Sequence, residues 1–264
     1  MTIKMYQVDA FTDTLFGGNP AAICPLSSWP DDELLLSIAQ ENNLAETAYF
    51  LPLDEGRYHL RWFTPELEMD LCGHATLASA YVIFHELGQQ ADEVIFETKS
   101  GLLTVKKKGE LLEMDLPSRP PIAANLPPDI SAALSIQPTE VWKARDYLLL
   151  YESAIDIREL SVDEGALKGV DLGPGGIIVT ALGDMPGVDF VSRFFTPGAA
   201  VFEDPVTGSA HCTLIPYWTE RSGRSQHVAH QLSSRGGQLY CEQREDRVIV
   251  RGQAVKYLEG EIHV

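Results

Sequence analysis

The chain has few cysteines, and their spacing excludes two common uses of this residue. Only four occur among 264 residues, at positions 24, 72, 212 and 241. They form no CxxC pair, and none stands at zinc-ligand spacing from a histidine. Scattered cysteines in a chain of this length are typical of a reduced protein without disulfides. We therefore expect a cytoplasmic location and no bound metal.

Basic residues are also scarce. The chain has 20 Lys and Arg against 38 Asp and Glu, so its formal net charge is −18. Nucleic acids and anionic membranes both select basic surfaces, so neither is an expected partner. An anionic substrate would need positive potential from a local source, such as a helix N-terminus or a protonated histidine.

Long apolar runs are missing as well. No segment approaches the ~20 residues that a membrane-spanning helix needs, and the first residues show no signal-peptide core. Hydrophobic residues still make up 45% of the chain, an ordinary value for a globular protein. A chain of this length and composition can bury a substantial core without disulfides or metals.

A duplicated motif organises the chain. Each copy ends a strand-like segment with Arg, two aromatic residues, Thr and Pro, and then runs through an acidic turn and a glycine into an apolar helix. The copies cover residues 61–87 and 193–221. Because these helices lack a polar face, each is expected to be buried on nearly all sides. The pattern predicts an α+β fold of two pseudo-symmetric lobes, each a mostly antiparallel or mixed sheet wrapped around a central helix.

Proline marks the boundary between the halves. Five of the 16 prolines fall within residues 117–128, where the backbone cannot join the interior of a sheet. We predict an N-terminal lobe over residues 1–117, a linker over 118–128 and a C-terminal lobe over 129–264. The prediction leaves open whether the final strand crosses back to the first lobe. A small-molecule site is expected in a cleft between the lobes.

The two helix starts, at Gly73 and Gly208, are candidate anion sites. The first N–H groups of a helix have no partner inside it, and the helix dipole favours a negative charge there. Glycine also allows a ligand to approach the backbone closely. Either glycine alone is more typical of an ordinary turn. The duplicated context, with a nearby acid and a following apolar helix, favours binding of a substrate carboxylate.

His74 and Glu46 are the candidate acid and base. His74 follows Gly73, where an imidazole can donate to a substrate carboxylate or act as a general acid. The alternative is a capping or packing histidine. Glu46 stands among apolar residues at the start of a predicted strand, where partial burial suits a carboxyl group to proton exchange near neutral pH. The alternative is a solvent-facing residue at a strand end.

Asp204 and Ser209 stand on either side of the second glycine. Asp204 precedes a proline and is interpreted either as a substrate-binding residue or as a helix cap or turn residue. Ser209 has the same two interpretations. His211 lies deeper in the second helix, and we interpret it as structural.

Cys72 raises the alternative of thiol chemistry. A thiol just before a helix start can have a lowered pKa and become reactive, and two such thiols would make a cofactor-independent racemase. The residue before Gly208 is Thr207, which supplies no thiolate. The two-thiol mechanism is therefore excluded, and Cys72 is either a small apolar residue or the single thiol of a racemase or epimerase.

Four ordered blocks carry a family resemblance. They are residues 9–12 with 17–22, residues 43–48, residues 71–76 and residues 203–211, with a further match at 235–237. On these blocks the chain resembles the phenazine-biosynthesis isomerase-like (PhzF-like) family, on the diaminopimelate-epimerase fold. The resemblance implies a biosynthetic enzyme that forms a homodimer and needs neither metal nor organic cofactor.

The resemblance also implies roles for the candidate residues. A glutamate matching Glu46 moves a proton between carbons of a small cyclic amino acid. Residues matching His74, Asp204 and Ser209, with the backbone of Gly73, hold the substrate and assist. Related racemases use two cysteines, at positions matching Cys72 and Thr207, so this chain is more similar to the isomerase branch.

The sequence therefore predicts a cytoplasmic, cofactor-independent isomerase that moves a proton on a small carboxylate-bearing metabolite. One alternative is a racemase or epimerase that uses Cys72 alone. The other is a non-catalytic protein that binds a small molecule on the same fold.

Overall fold

The structure, a computed structural model, describes residues 1–54 and 56–264. The chain divides into two compact units. The first comprises Met1–Asp115 and Arg251–Val264, and the second comprises Leu116–Val250. Residues 118–128, predicted as a linker, belong to the second unit, and the C-terminal residues belong to the first. Among the described residues, no helix has the length and hydropathy that crossing a membrane requires.

The first unit contains a mixed sheet and two helices. The helices are α1 (Asp32–Asn42) and α2 (Gly73–Tyr81), which continues as a π-helical segment (Val82–Glu86). The strands are β1 (Thr2–Ala10), β2 (Asn19–Pro25), β3 (Glu46–Pro52), β4 (Arg57–Phe63), β5 (Glu68–Met69), β6 (Glu93–Thr98), β7 (Gly101–Lys108), β8 (Leu111–Pro117) and β17 (Ala254–His263). Strand pairing follows the order β17-β1-β2-β3-β4-β6-β7-β8, and β5 also pairs with β4. The β2–β3 and β4–β6 pairs are parallel, and the other pairs are antiparallel.

Helix α2 is buried along its length, as its lack of a polar face predicted. Every residue from His74 to Ala80 is buried, and the helix packs against β1, β2 and β3. Small side chains on α2 let the sheet approach closely. The sequence predicted one continuous helix as far as Leu87. Instead the helix widens after Tyr81, and the N–H of Leu87 donates to the carbonyl of Val82, five residues back.

The second unit repeats this plan. Its helices are α3 (Pro128–Ala133), α4 (Ala154–Glu159), α5 (Glu164–Leu167) and α6 (His211–Ser222), the last preceded by a 3₁₀ turn (Gly208–Ala210). Its strands are β9 (Ile122–Ala123), β10 (Glu140–Lys143), β11 (Tyr147–Leu150), β12 (Ile177–Leu182), β13 (Phe190–Phe195), β14 (Gln226–Gln231), β15 (Gly237–Arg244) and β16 (Arg247–Gly252). Pro216 lies inside α6, which is otherwise largely buried.

The orientations of the strand pairs show that the second unit repeats the first, without reference to the sequence motif. From β1 to β7 in the first unit, the successive pairs are antiparallel, parallel, antiparallel, parallel and antiparallel. The pairs from β10 to β15 in the second unit follow the same order. In both units the buried helix follows the fourth strand of this series. The predicted two-lobed α+β fold is therefore confirmed.

The repeated Arg-aromatic-aromatic-Thr-Pro motif has the same contacts in both units. Arg61 on β4 binds Glu68 through two hydrogen bonds, of 2.7 and 2.9 Å. Arg193 on β13 binds Glu203 with the same pair of distances. These bidentate ion pairs tie the segment before each buried helix to its strand. The motif therefore orients the approach to each helix start.

Candidate active site

Glu46 is the first residue of β3, and local structure sets its position. Asn43 caps the C-terminus of helix α1 and adopts the left-handed conformation with φ of 49°. The Asn42 side-chain amide donates to Thr47 Oγ1 at 3.1 Å, which ties the end of α1 to β3. Glu46 then pairs with Ala21 on the parallel strand β2. Its side chain is only 15% exposed, so the carboxylate is largely withdrawn from water.

The carboxylate of Glu46 contacts the imidazole of His74. Glu46 Oε2 lies 3.1 Å from His74 Nε2, and the imidazole side chain is 5% exposed. The two atoms are not aligned as a hydrogen bond, so the contact is a close ion pair. Burial by itself would lower the pKa of His74. The negative charge of the neighbouring Glu46 carboxylate opposes burial and raises the pKa of His74 above its ordinary value.

Asn19 contacts the second ring nitrogen of His74, Nδ1. Its side-chain amide lies 3.0 Å from His74 Nδ1, and Asn19 is fully buried at the start of β2. A protonated ring donates from Nδ1, so the amide oxygen is then its partner. Gly18 makes this placement possible, since its φ is 65° and a Cβ there would lie 2.2 Å from the carbonyl oxygen of Ala10. Sequence reasoning did not select Asn19 as a site residue. Its place in the Gly17–Ala22 block was the one available signal.

Cys72 does not have the lowered pKa that its position before α2 suggested. It is buried, and burial raises the pKa of its thiol to about 11. Its sulfur lies 3.5 Å from His74 Nδ1. The helix start does not overcome the loss of hydration, which favours the interpretation of Cys72 as a small buried residue. The other three cysteines are also buried as thiols.

Three side chains of this group have the chemistry of metal ligands. Glu46, Cys72 and His74 offer ligand atoms within 4.8 Å of one another. Oxygen, sulfur and nitrogen together are a donor set that zinc accepts. A metal would first have to displace the proton of Cys72, whose pKa is raised, and would compete with the Glu46–His74 ion pair. The group is therefore better suited to proton transfer than to metal binding.

The second unit carries no copy of Glu46. Thr47 pairs with Phe63 on β4, and Ile177 pairs with Phe195 on β13. The residue before Ile177 is Gly176, where a Cβ would lie 2.5 Å from a ring carbon of Phe194. That position cannot hold a carboxylate side chain, so the acid is present once in the repeat.

Asp204 lies in the turn before the second buried helix. Its backbone N–H donates to the carbonyl of Phe194, and its Oδ2 accepts a hydrogen bond from the Thr207 hydroxyl. Thr207 is in turn held by Gln231, which is 1% exposed at the end of β14. Neither Thr207 as a partner of Asp204 nor Gln231 was expected from sequence.

Ser209 lies in the 3₁₀ turn and contacts an arginine. Arg145 Nη2 donates to Ser209 Oγ at 3.1 Å. The same guanidinium group binds Asp146 through two hydrogen bonds of 3.1 Å. Asp146 is fully buried and also accepts the N–H of Gly176 at 2.8 Å. Arg145 therefore places a guanidinium donor beside Ser209 while Asp146 balances its charge, and no sequence motif identified it.

His211 has the environment expected of a structural residue. It is fully buried, and its Nδ1 lies 2.9 Å from the carbonyl oxygen of Thr207. Burial lowers the pKa of His211 to about 4. The imidazole of His211 is therefore neutral near pH 7, and its pKa is shifted in the opposite direction to that of His74.

The candidate residues form two groups. The structure brings Glu46, Gly73 and His74 together at the start of α2 in the first unit. Asp204 and Ser209 flank the start of the buried helix of the second unit. Each group has a partner that carries or complements charge, namely Asn19 in the first and Arg145 in the second.

Comparison with known proteins identifies the family of the chain. The family described as phenazine biosynthesis-like protein matches residues 8–260. An uncharacterized isomerase of Pseudomonas aeruginosa is 46% identical over 264 residues, which is all of both chains. A crystal structure of a PhzF-family phenazine biosynthesis protein from Enterococcus faecalis is 44% identical, with a TM-score of 0.95 over all of both chains.

A more distant neighbour shares the fold alone. It is a structure described as a predicted epimerase from Pseudomonas aeruginosa, which is 22% identical with a TM-score of 0.72 over 99% of each chain. The family match and the two close similarities each span almost the whole sequence. The chain therefore belongs to the phenazine biosynthesis-like (PhzF-like) protein family.

Proposed function

We propose that the protein is a cofactor-independent isomerase that moves a proton between carbons of a small carboxylate-bearing metabolite. The observation that carries the proposal is the ion pair of Glu46 and His74, 3.1 Å apart at the first turn of a buried helix. A similar full-length protein of Pseudomonas aeruginosa bears the name isomerase, which supports the reaction class.

Glu46 acts as the general base in this proposal. Its carboxylate removes a proton from carbon, and the electron pair of the broken C–H bond moves into the adjacent unsaturated system of the substrate. The same group then returns the proton to another carbon, so the double bond shifts and no electrons are gained or lost. Positioned proton transfer of this kind typically accelerates a reaction by about 10²–10⁴-fold.

His74 stabilises the negative charge that develops on the substrate. The raised pKa of His74 favours the protonated form of its imidazole. A fixed cation in a largely dehydrated position stabilises a developing anion more strongly than water does. The N–H of Gly73, at the first residue of α2, is the second donor assigned to the substrate.

Asp204 and Ser209 are assigned to substrate binding. Ser209 lies beside the guanidinium group of Arg145, so a substrate carboxylate at Ser209 would meet a hydroxyl and a guanidinium donor. Asp204 orients the substrate. Formation of a homodimer stays a prediction.

The thiol alternative has less support. A racemase using Cys72 alone needs a thiolate near neutral pH, whereas burial raises the pKa of this thiol to about 11. The binding-protein alternative requires Glu46 to be exposed or paired elsewhere. Its carboxylate is instead 15% exposed and contacts His74, which favours catalysis.

The test detects proton exchange on any compound that the site can deprotonate. The wild-type protein is incubated in D₂O with a panel of small unsaturated carboxylates and amino acids, and deuterium incorporation is followed by mass spectrometry. For any compound that exchanges, Glu46→Gln should reduce the rate by about 10²-fold or more. The control is Glu41→Gln, an exposed glutamate on α1, which should retain the wild-type rate.

Two outcomes would contradict the proposal. One is an unchanged exchange rate in Glu46→Gln. The other is binding of panel members, detected by calorimetry, with no exchange in any of them, which would favour the non-catalytic alternative.

A further inference from the structure

Thr207 and Gln231 form a buried hydrogen-bond network beneath Asp204. Thr207 is 6% exposed and Gln231 is 1% exposed, so neither side chain faces bulk water. The network links the last residue of β14 to the turn that precedes the second buried helix. Two polar side chains at this depth must satisfy their hydrogen bonds inside the protein.

The direction of every hydrogen bond in this network follows from one backbone donor. The N–H of Thr207 lies 2.9 Å from the Gln231 side chain, so the contacting atom there must be the acceptor oxygen Oε1. Nε2 is then the donor. It donates to the backbone oxygen of Asp204 at 2.7 Å and to Thr207 Oγ1 at 3.1 Å.

The orientation of Gln231 determines what the Thr207 hydroxyl can do. Because Thr207 Oγ1 accepts from Gln231, its single hydrogen points to its other neighbour, Asp204 Oδ2. Oδ2 of Asp204 therefore accepts and carries no proton, and a carboxylate is a stronger acceptor for this hydroxyl than a neutral carboxyl group. A hydrogen bond to the charged form of a carboxyl group stabilises that form.

The rest of the turn is held independently of this network. Glu203 is bound by Arg193 through two hydrogen bonds, and the carbonyl of Pro205 accepts from the Ser233 hydroxyl at 2.8 Å. The backbone of Asp204 is thus fixed on both sides. Thr207, itself held by Gln231, adds a hydrogen bond to the carboxylate of Asp204.

We propose that Thr207 and Gln231 are positioning residues that hold Asp204 as an oriented carboxylate for substrate binding. This inference rests on the proposed function, in which Asp204 binds the substrate. The chain of donors runs one way, from Gln231 through Thr207 to Asp204. Both residues act through Asp204, and their effect on turnover should therefore appear in KM more than in kcat.

The primary test needs no substrate. The side-chain carboxyl carbon of Asp204 is titrated by NMR in protein labelled with ¹³C-aspartate, and the signal is identified by its loss in Asp204→Asn. Thr207→Val should move the titration midpoint of Asp204 to higher pH by about one to two pH units, the size expected for losing one hydrogen bond to a charged group. Thr207→Ser keeps the hydroxyl and should restore the wild-type midpoint.

A double-mutant cycle tests whether the two residues act in series. Gln231→Met should also shift the midpoint upward, and adding it to Thr207→Val should produce little further shift because the chain is already broken. Ser233→Ala, which removes a different hydrogen bond of the same turn, should leave the midpoint of Asp204 unchanged. Thr207→Ala replaces Thr207→Val if the latter does not fold.

The proposal is overturned if Thr207→Val leaves the Asp204 midpoint unchanged, or if the two shifts simply add. Failure of the proposed function gives a different result: Glu46→Gln would then retain deuterium exchange, whether or not the titration midpoint of Asp204 shifts in Thr207→Val. For a panel compound that exchanges, an increase in KM at constant kcat in Thr207→Val supports the inference. A decrease in kcat at constant KM in Thr207→Val contradicts the inference.

Discussion

Replacing Glu46 by glutamine tests the charge state of His74 in the absence of any substrate. Glu46→Gln preserves the shape of the side chain and removes its negative charge. Burial of the imidazole, which lowers its pKa, is unchanged by this substitution. The pKa of His74 should therefore fall from its raised value to the ordinary histidine value of about 6.5 or below.

The size of the effect follows from the geometry. Two unit charges 3.1 Å apart attract each other by about 5 kcal/mol at an effective dielectric constant of about 20, which sets an upper bound of about four pKa units. Relaxation of the site and the slight exposure of Glu46 reduce the measured shift. We expect a resolvable fall in the pKa of His74, smaller than this Coulomb figure.

The assay is an NMR titration of the imidazole nitrogens, with the His74 signals identified by their loss in His74→Gln. Glu41→Gln serves as the matched control, because it removes one negative charge from an exposed position on α1. It should leave the titration of His74 unchanged. The reasoning is refuted if wild-type His74 titrates at or below about pH 6.5, or if Glu46→Gln leaves its midpoint in place.

The same shift has a consequence for stability. Because the folded-state pKa of His74 is raised, protonation stabilises the folded state. The contribution is fully present below the unfolded-state pKa of about 6.5 and is lost as pH rises through the folded-state value. Urea unfolding should therefore show an advantage of wild type over Glu46→Gln that shrinks toward alkaline pH. An advantage that grows with pH would contradict the assignment.

Two further predictions concern buried groups. Burial lowers the pKa of His211 to about 4, so below about pH 6.5 the unfolded state takes up the proton first. Wild type should lose up to about 3 kcal/mol of unfolding free energy by about pH 4 relative to His211→Asn, measured by urea unfolding. The control, His263→Gln at an exposed position, should keep the wild-type pH dependence. Cys72, whose pKa is raised to about 11, should resist iodoacetamide in the native protein at neutral pH and react only after unfolding, and rapid native labelling mapped to it by peptide mass spectrometry would contradict its burial.

The fold was largely predictable because its signals are local or repeated. The two apolar helices, the strands around them and the duplicated Arg-aromatic motif all lie within short windows of the sequence. The π-helical segment after Tyr81 was not predictable, since a single extra residue in a helical turn leaves the apolar pattern almost unchanged. The pairing of β17 with β1 joins residues about as far apart as the chain allows, and no local pattern specifies such a contact.

The candidate site was predictable in its residue types and less so in its partners. Glu46 and His74 were selected from their local context, and the structure places them in contact. Asn19 and Arg145 were not selected. Asn19 lies 55 residues from His74 in the sequence, and Arg145 lies 64 residues from Ser209. Only the folded chain therefore brings each pair together.

The amino-acid sequence by itself determined the family, the fold class and the identity of the candidate acid and base. It did so because ordered motifs and hydrophobic periodicity are written along the chain. Tertiary structure alone decided the protonation of the site. Burial keeps the Cys72 thiol protonated and the His211 imidazole neutral near pH 7. The Glu46 carboxylate, 3.1 Å away, favours the charged form of His74. The physical reason is that a pKa depends on hydration and on neighbouring charges, and both are set by residues distant in sequence.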